Sequence, residues 1–583
     1  MRSPSLISFA AGLAASAATT VLVMMAALSA GLIDRPHLLV PVAGLIAFGV
    51  AAAAAQRHVA SIPFRIGSLS GAAAASFAEM WSSTTGVGAL QLIAVASAIV
   101  VAVWGPRLLT PLTRPIPGLL VLIGLIALAA VFVRIVVAGG ELGHDEAAYA
   151  LKARAWFDGT PDTGWSLHRG VGQSVLAAAI LPFGQSAAAL RVVSVVLSLG
   201  TVVAVYGLGR AIRSNRAGLI AAGVFAVAPS FLRRGAEFLT DVPSTGLLLV
   251  VATLLWRWLT QTPPKPSTLY FAAGVAAASI YVRYQAILSL GLLVLALLVV
   301  GWDRVRLHSA SVLKAAGVGL ALLVPHFIHA TVSAGVPWGI FLATADAGGR
   351  EYLGEGIVDY VRDFPDLLAG PLGAVAIIVG LTWTGWRILS NGDRKPALFL
   401  AIPALGQFLL LGLVSHGEPR FVFFPVALLL VAAGIAAEDL RAAISRPLYR
   451  TLAWSAAAAV VISLGIQGDR VDDNAEARAE SIEALVETAR VVRQEADGPC
   501  GIVTGLEPQL TWLSGCATQR YYRDGKLLRF DGGVDVFLML ADEAPRQPTG
   551  DWLQSYLALA EEEPVVVESE GSFGNIEVWQ AGD

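Results

Sequence analysis

Long apolar runs broken by short polar stretches set the pattern of this chain. A helix that crosses a bilayer needs ~20 largely apolar residues, because it rises about 1.5 Å per residue through about 30 Å of hydrocarbon. Runs of that kind lie at 5–32, 38–55, 87–104, 117–138, 187–208, 217–232, 242–258, 269–284, 286–301, 313–332, 367–388, 397–414, 421–437 and 451–467. A weaker one at 67–86 is rich in Gly, Ala and Ser and carries Glu79. After 468 the pattern changes. Residues 474–496 are polar, with Ile482, Leu485, Val486, Ala489 and Val492 at helical spacing, and strand-like runs follow at 501–504, 534–540, 564–567 and 575–579. The expectation is an α-helical polytopic membrane protein of fourteen or fifteen spans with a small C-terminal α/β domain outside the membrane. It divides into an N-terminal transmembrane extension (1–116), a transmembrane core (117–468) and an extracytoplasmic domain (469–583).

The polar positions orient the spans, since basic loops stay in the cytoplasm. Arg210, Arg213 and Arg216 make one such loop, Arg304 and Arg306 a second, Arg394 and Lys395 a third, and Arg441, Arg446 and Arg450 a fourth. Strict alternation puts all four on one face. The loops at 139–186, 233–241, 333–366 and 415–420 then face outward, as does everything after 468. Arg57, Arg65, Arg107 and Arg114 are all cytoplasmic only if 67–86 also crosses, which gives fifteen spans and a cytoplasmic N-terminus. The apolar run to Ile33 is longer than the ~7–15 residues of a signal-peptide core, so it reads as a retained helix. The expected location is the plasma (inner) membrane.

Composition agrees. Of 583 residues, 56% are hydrophobic and 14% charged, against about 25% charged in soluble proteins. A net charge of -3 with no Lys/Arg-rich run gives no sign of nucleic-acid binding. The two cysteines, Cys500 and Cys516, are too few for a thiolate zinc cluster. They can close a disulfide in an oxidising compartment, worth roughly 3 kcal/mol on the chain-entropy model, or stand as two buried thiols. There is no Walker-type loop, no Asp-x-Asp pair for a metal-bound sugar nucleotide and no His-Glu-x-x-His. No cofactor is called for; a divalent metal is compatible with the loops, but nothing indicates one.

The candidate chemistry sits in the outward loops. His144, Asp145 and Glu146 follow directly on an apolar helix. Carboxylates at such a mouth are costly to desolvate and point to function, the alternative for Asp145 being a solvated helix cap. Glu146 to Phe157, with Tyr149 and Trp156, is amphipathic, and an apolar run ending at Leu181-Pro182-Phe183-Gly184 follows Trp165, His168 and Arg169. The first can lie at the membrane interface, and the second reads as a helix lying along the surface, the loop roofing a cavity. Arg233, Arg234, Arg283 and Arg420 stand outside, against the positive-inside bias. Guanidinium groups grip phosphate through several charged donors, so the set suggests an anionic headgroup. Salt bridging to Glu237, Asp241 or Glu418 is the alternative. The acidic loop through Asp346, Arg350, Glu351, Glu355, Asp359 and Asp366 is either a lid over a sugar or a solvated surface.

Taken together, these residues resemble the GT-C membrane glycosyltransferases, particularly the protein O-mannosyltransferase and aminoarabinose transferase group. The likeness rests on Asp145-Glu146-x-x-Tyr149 after an apolar helix and on Phe183-Gly184 followed by Leu190-Arg191. It also rests on Asp241-Val242-Pro243, on Tyr281-Val282-Arg283-Tyr284, and on His416-Gly417-Glu418-Pro419-Arg420-Phe421 followed by Pro425. It covers about 117–468 and leaves out both ends of the chain. The resemblance implies inverting transfer of a sugar from a polyprenyl-phosphate donor to a glycan, lipid or protein acceptor at the outer leaflet. On it, Asp145 is the base and Glu146 orients the base or holds the sugar. Arg283 and Arg420 take the lipid phosphate, His416 and Glu418 position it, and His144, Tyr149, Arg233, Arg234 and Asp241 complete the substrate site. The competing expectations are a transporter or flippase of a lipid-linked glycan, which needs ionisable residues at mid-membrane, and a non-catalytic scaffold.

Overall fold

In a computed structural model of the chain, the residues described are 117–443, 460 and 478–581, with breaks at 347–350, 364–367, 391, 523–529, 531–532, 544–545, 561–562 and 570. The expected extension at 1–116, Arg350, Asp366, and all but residue 460 of the span expected at 451–467 lie outside the described residues. The chain forms two compact units, 1–137 with 180–185 and 138–179 with 186–583. The described part of the first is helix α1 (Pro117–Ala138), whose one ionisable residue is Arg134, and a turn closed by the Phe183 N–H donating to the Ile180 carbonyl.

The second unit begins with two short helices, α2 (His144–Phe157) and α3 (Gly172–Ile180). A bundle follows: α4 (Ala187–Ile212), α5 (Asn215–Ala226), α6 (Pro229–Gly235), α7 (Asp241–Thr260), α8 (Pro266–Val282), α9 (Ala286–Leu307) and α10 (Ser309–Ala334). After α11 (Gly339–Asp346) and α12 (Glu355–Asp363) come α13 (Gly370–Leu389), α14 (Lys395–Val414), a 3₁₀ turn (Pro419–Val422) and α15 (Phe423–Ala443). Among the described residues seven helices are long and apolar enough to cross a membrane, counting the 3₁₀ turn with α15. The bent pair α5 and α6 makes an eighth. The shorter apolar α8 and the helix α1 occupy the two remaining runs expected within 117–437.

Local chemistry explains the breaks. Ser186 and Ser214 cap α4 and α5 by accepting from the Ala189 and Ala217 N–H groups. Ala228 precedes Pro229, and the proline ring disfavours helical geometry in the residue before it. Ala228 is extended (φ -66°, ψ 127°), and α5 and α6 meet at 73°. The bend aims Arg233 and Arg234 away from the line of the span. Helix α15 is buried without interruption from Val422 to Ile435, as expected of a helix apolar all round at the centre of a bundle. Small residues let its neighbours approach: a side chain at Gly434 would meet the Ala217 carbonyl, and one at Gly380 the Leu429 carbonyl.

Both ends of the bundle are charged. At the end where α4 finishes, Arg213 and Arg387 pair with Asp439 at 2.7 and 2.9 Å, and Arg441 pairs with Glu438 at 2.8 Å. At the end where α4 begins, the loops expected to share one face (139–186, 233–241 and 415–420) come together.

The C-terminal segment is a small α/β domain, as its pattern predicts. A helix at 478–495 (α16) leads into β1 (Cys500–Val503), α17 (Glu507–Ser514), β2 (Ala517–Gln519), β3 (Asp535–Ala541), α18 (Asp551–Leu557), β4 (Val565–Val567) and β5 (Ile576–Ala581). The sheet order is β2-β1-β3-β5-β4, parallel on the β2-β1-β3 side and antiparallel beyond it. Leu485, Ala489 and Val492, three of the residues at helical spacing, pack on one face with Ile502, Phe537 and Met539. The pattern missed strand β2, whose three residues, two of them polar, show no alternation, and the short helices α17 and α18. Cys500 and Cys516 are joined in a disulfide.

Candidate active site

The site grows from the start of α2. Gly143 is the residue before the first helical turn and donates its N–H to Glu146 Oε2 at 2.9 Å. Asp145 and Glu146 fall in the first turn, where the positive end of the helix dipole favours carboxylates. The two acids then part. Glu146 is 2% exposed and packed with donors. Arg191 donates to both of its oxygens, Arg478 approaches at 2.5 Å, and the Phe238 N–H donates at 2.8 Å. Burial pushes the Glu146 carboxyl up, but Arg191 and Arg478 outweigh it and hold the group well below the usual carboxylate range. Asp145 keeps 31% of its side chain accessible and accepts from Arg169 at 2.8 Å and Arg420 at 3.0 Å. Burial pushes it up too, and Arg169 and Arg420 hold it down. His144 is lowered by burial, with Asp145 opposing, so it is neutral at pH 7.

Arg420 joins the acid turn to a polar cavity. Its Nε lies 2.8 Å from Glu418, which also pairs with Arg234 at 3.2 Å, and Arg234 reaches Glu237 at 2.7 Å. The cavity, about 270 Å³ and open on one side, is lined by Asp241, Ser244, Arg283, Ser289, Gln407 and Arg420, among others. Arg283 pairs with buried Asp241 at 2.7 Å, donates to Thr240 and Gln285, and stacks 5.1 Å over the Phe421 ring. Ser289 donates to Gln407 at 2.6 Å on the cavity wall.

Most residues expected to act together do meet. Asp145, Arg234, Asp241, Arg283, Glu418 and Arg420 form one network. Tyr149 stands at its edge, its hydroxyl 3.5 Å from Thr240 and its ring 5.4 Å from the Arg169 guanidinium. His416 is 3.8 Å from Glu418 and edge-on to Phe421. Arg233 makes no ion pair to any described residue, although Arg234, Glu237, Arg478 and Glu418 all act on it. Of the two parts expected of Glu146, its occupied oxygens and near-absent accessible surface leave no free edge for a sugar and fit the other, orienting Asp145. Helix α2 also differs from the expected interfacial helix. Residues 146–151 and Ala153 are buried, so its first half has no free lipid face.

Sequence reading left Arg169 and Arg191 without roles and passed over Arg478. Arg191 had a signal, being an arginine near the start of an apolar span, at the end opposite the basic loop of Arg210, Arg213 and Arg216. From the acidic loop, Asp359 of α12 accepts from the Gly417 N–H at 3.2 Å, which ties α12 to the turn carrying Glu418 and Arg420. Among the described residues no group of three or more His, Cys, Asp or Glu is placed to hold a metal ion.

Comparison with known proteins fits this geometry. Residues 172–329 match the family model for dolichyl-phosphate-mannose-protein mannosyltransferase. A search of curated proteins by sequence gave no match. ArnT from Cupriavidus metallidurans bound to undecaprenyl phosphate superposes with a TM-score of 0.57 at 14% identity, covering 79% of this chain and 97% of that one. Its apo state gives 0.56 at 15%, covering 78% and 97%. The Archaeoglobus fulgidus oligosaccharyltransferase in complex with Zn and sulfate gives 0.51 at 12%, covering 78% and 72%. The chain is therefore a polytopic membrane protein of the GT-C fold, similar to ArnT in architecture and matching the mannosyltransferase family model over part of its core.

Proposed function

We propose that this protein is an inverting glycosyltransferase, moving a sugar from a polyprenyl-phosphate donor to an acceptor hydroxyl on a glycan, lipid or protein at the outer face of the plasma (inner) membrane. The observation that carries the reading is Arg420, which grips Asp145 with one nitrogen and walls the polar cavity beside Arg283 and Asp241. The acceptor hydroxyl gives its proton to Asp145, and its oxygen attacks the anomeric carbon. The bond from that carbon to the phosphate oxygen breaks, and its electron pair stays on the lipid phosphate. No covalent intermediate forms, so one carboxylate suffices.

The leaving phosphate gains negative charge as the bond breaks, and fixed guanidinium groups stabilise it most in the transition state. Seven arginines (169, 191, 233, 234, 283, 420 and 478) are set against five carboxylates (145, 146, 237, 241 and 418), leaving net positive charge for an anionic ester. In the resting site Asp145 is a poor base because Arg169 and Arg420 hold it. A donor phosphate competes for those guanidinium groups, and as they turn to it the carboxylate regains basicity. On this reading Arg233, Arg234, His144, Tyr149 and His416 line the substrate path, while Glu146 acts through position alone. The arginines supply the charge that a metal would, so EDTA should leave the rate unchanged.

The outward placement is supported by the basic loop residues Arg213, Arg216 and Arg441, which pair at the opposite end of the bundle. Ion pairs gathered at the two ends favour an enzyme over a transporter with mid-membrane charges. The test is Asp145→Asn in membranes supplied with a labelled polyprenyl-phosphate sugar. Transfer should be lost, and undiminished transfer removes Asp145 as the base. Movement of intact donor across vesicles without cleavage would support the transporter instead.

A further inference from the structure

The ion pairs around the acid turn close on themselves. From Asp145 the path runs to Arg420, Glu418, Arg234, Glu237 and Arg478, and ends at Glu146, the next residue along the chain from where it began. Signs alternate at every step, and no link exceeds 3.2 Å. Six of these seven residues belong to the transmembrane core. The seventh, Arg478, comes from the first described turn of the C-terminal domain, and it is the one that bridges Glu146 to Glu237.

Two further observations place Arg478 as part of the turn. A side chain at Gly143 would stand 2.0 Å from Arg478 Nη2, so the guanidinium lies directly across the residue preceding α2. A Cβ added at Gly140, whose φ is +58°, would stand 3.0–3.1 Å from the Cβ and Cα of Ala479. The C-terminal domain holds the acid loop a second time through α17. Arg154 of α2 stacks 3.6 Å over Trp512 and donates to its carbonyl, and Trp512 Nε1 donates to Glu141. Both contacts fall on residues flanking Asp145 and neither touches Asp145 itself.

We infer that Arg478 is a positioning residue for the transfer reaction: the C-terminal domain completes the site by locking Glu146 to Glu237, which fixes the direction in which Asp145 presents its carboxylate. The inference rests on the proposed transfer reaction. Removing Arg478 leaves Glu146 with Arg191 and Glu237 with Arg234, so the fold retains a partner for each acid while the ring opens. A displacement of about 1 Å in a reacting group costs on the order of 10²-fold in rate.

The experiment compares the full-length wild type, Asp145→Asn, Arg478→Gln and Arg478→Lys in the same membranes. Two readouts are taken: transfer from a labelled polyprenyl-phosphate sugar, and binding of unlabelled polyprenyl phosphate as a count of folded sites. For Arg478→Gln, kcat per binding site should fall about 10–100-fold with the donor KM within about twofold. Arg478→Lys should recover most of the loss, since an ammonium still bridges two carboxylates. Transfer by Arg478→Gln equal to wild type, or a fall matched by an equal fall in binding sites, overturns the inference. Full transfer by Asp145→Asn overturns the underlying reaction instead, so the two failures are distinguishable.

Discussion

The two ends of the helical bundle are both laced with ion pairs, yet they are built differently. At the far end Arg213, Arg216 and Arg441 are 42–54% exposed and Arg387 25%, while the acids they share, Glu438 and Asp439, are 9% and 17% exposed. Pairs with an arginine about half in solvent contribute ~0–1 kcal/mol each. At the site end Arg191 and Glu146 are 3% and 2% exposed, and the remaining arginines of the ring lie between 17% and 31%. Asp145, Glu146, Glu237 and Glu418 are each shared between two arginines there, so the pairs link into one ring. At the far end two neighbouring acids, Glu438 and Asp439, collect the arginines and no ring forms among the described residues. The site end fixes five segments against one another and leaves one acid, Asp145, partly open.

Substitutions sharpen that contrast. The largest effect should come from Asp145→Asn, which keeps the shape and removes the base: transfer should fall about 10²–10⁴-fold while donor binding persists. Glu146→Gln should reduce stability by about 3–5 kcal/mol, because Arg191 and Arg478 lose their buried charge partner; the thermal midpoint in detergent measures it. Arg420→Ala should lower kcat by about 10²–10³-fold and weaken donor binding, with the Lys variant only partly restored. At the far end, Asp439→Asn loosens the contacts to Arg213, Arg387 and Trp383 and should cost about 1–3 kcal/mol, less than Glu146→Gln, and leave transfer intact. A loss at Asp439 as large as that at Glu146 would erase the distinction between the ends.

Acid provides a further check on the site end. The Asp145 carboxyl is depressed in the folded state, so its pairing contributes stability that is fully present above the unfolded value of about 4. That contribution is lost only as pH falls through the lower folded value. The stability gap between wild type and Asp145→Asn should therefore stay constant from neutral pH down to about 4 and narrow below it. A gap that closes near neutral pH would mean that Asp145 is not held by Arg169 and Arg420.

Much of the architecture was legible in the order of residues. Span length follows from bilayer thickness, so the ten runs between 117 and 437 needed only counting. Most of the sheet of the C-terminal domain was visible in β-branched runs, and the shared face of the loops at 139–186, 233–241 and 415–420 followed from the basic loops at the opposite ends of the spans. The acid turn was legible because a carboxylate beside an apolar helix is expensive. What each acid does was not. Asp145 and Glu146 are neighbours of similar chemistry, and only packing against Arg191, Phe238 and Arg478 seals one while leaving the other open. Arg478 gave no signal, because it lies 332 residues from Glu146 in an ordinary amphipathic helix.

The sequence by itself determined that this chain lives in a membrane, which loops share a face, and which residue types could meet an anionic ligand. Those properties are set by local hydropathy and charge, which act over one helix length. The tertiary structure alone decided which carboxylate stays accessible, which arginines share it, and that the C-terminal domain contributes Arg478 to the same ring. Those outcomes depend on side chains from distant segments competing for a few oxygens in a space with little water, and only the folded chain brings those segments together.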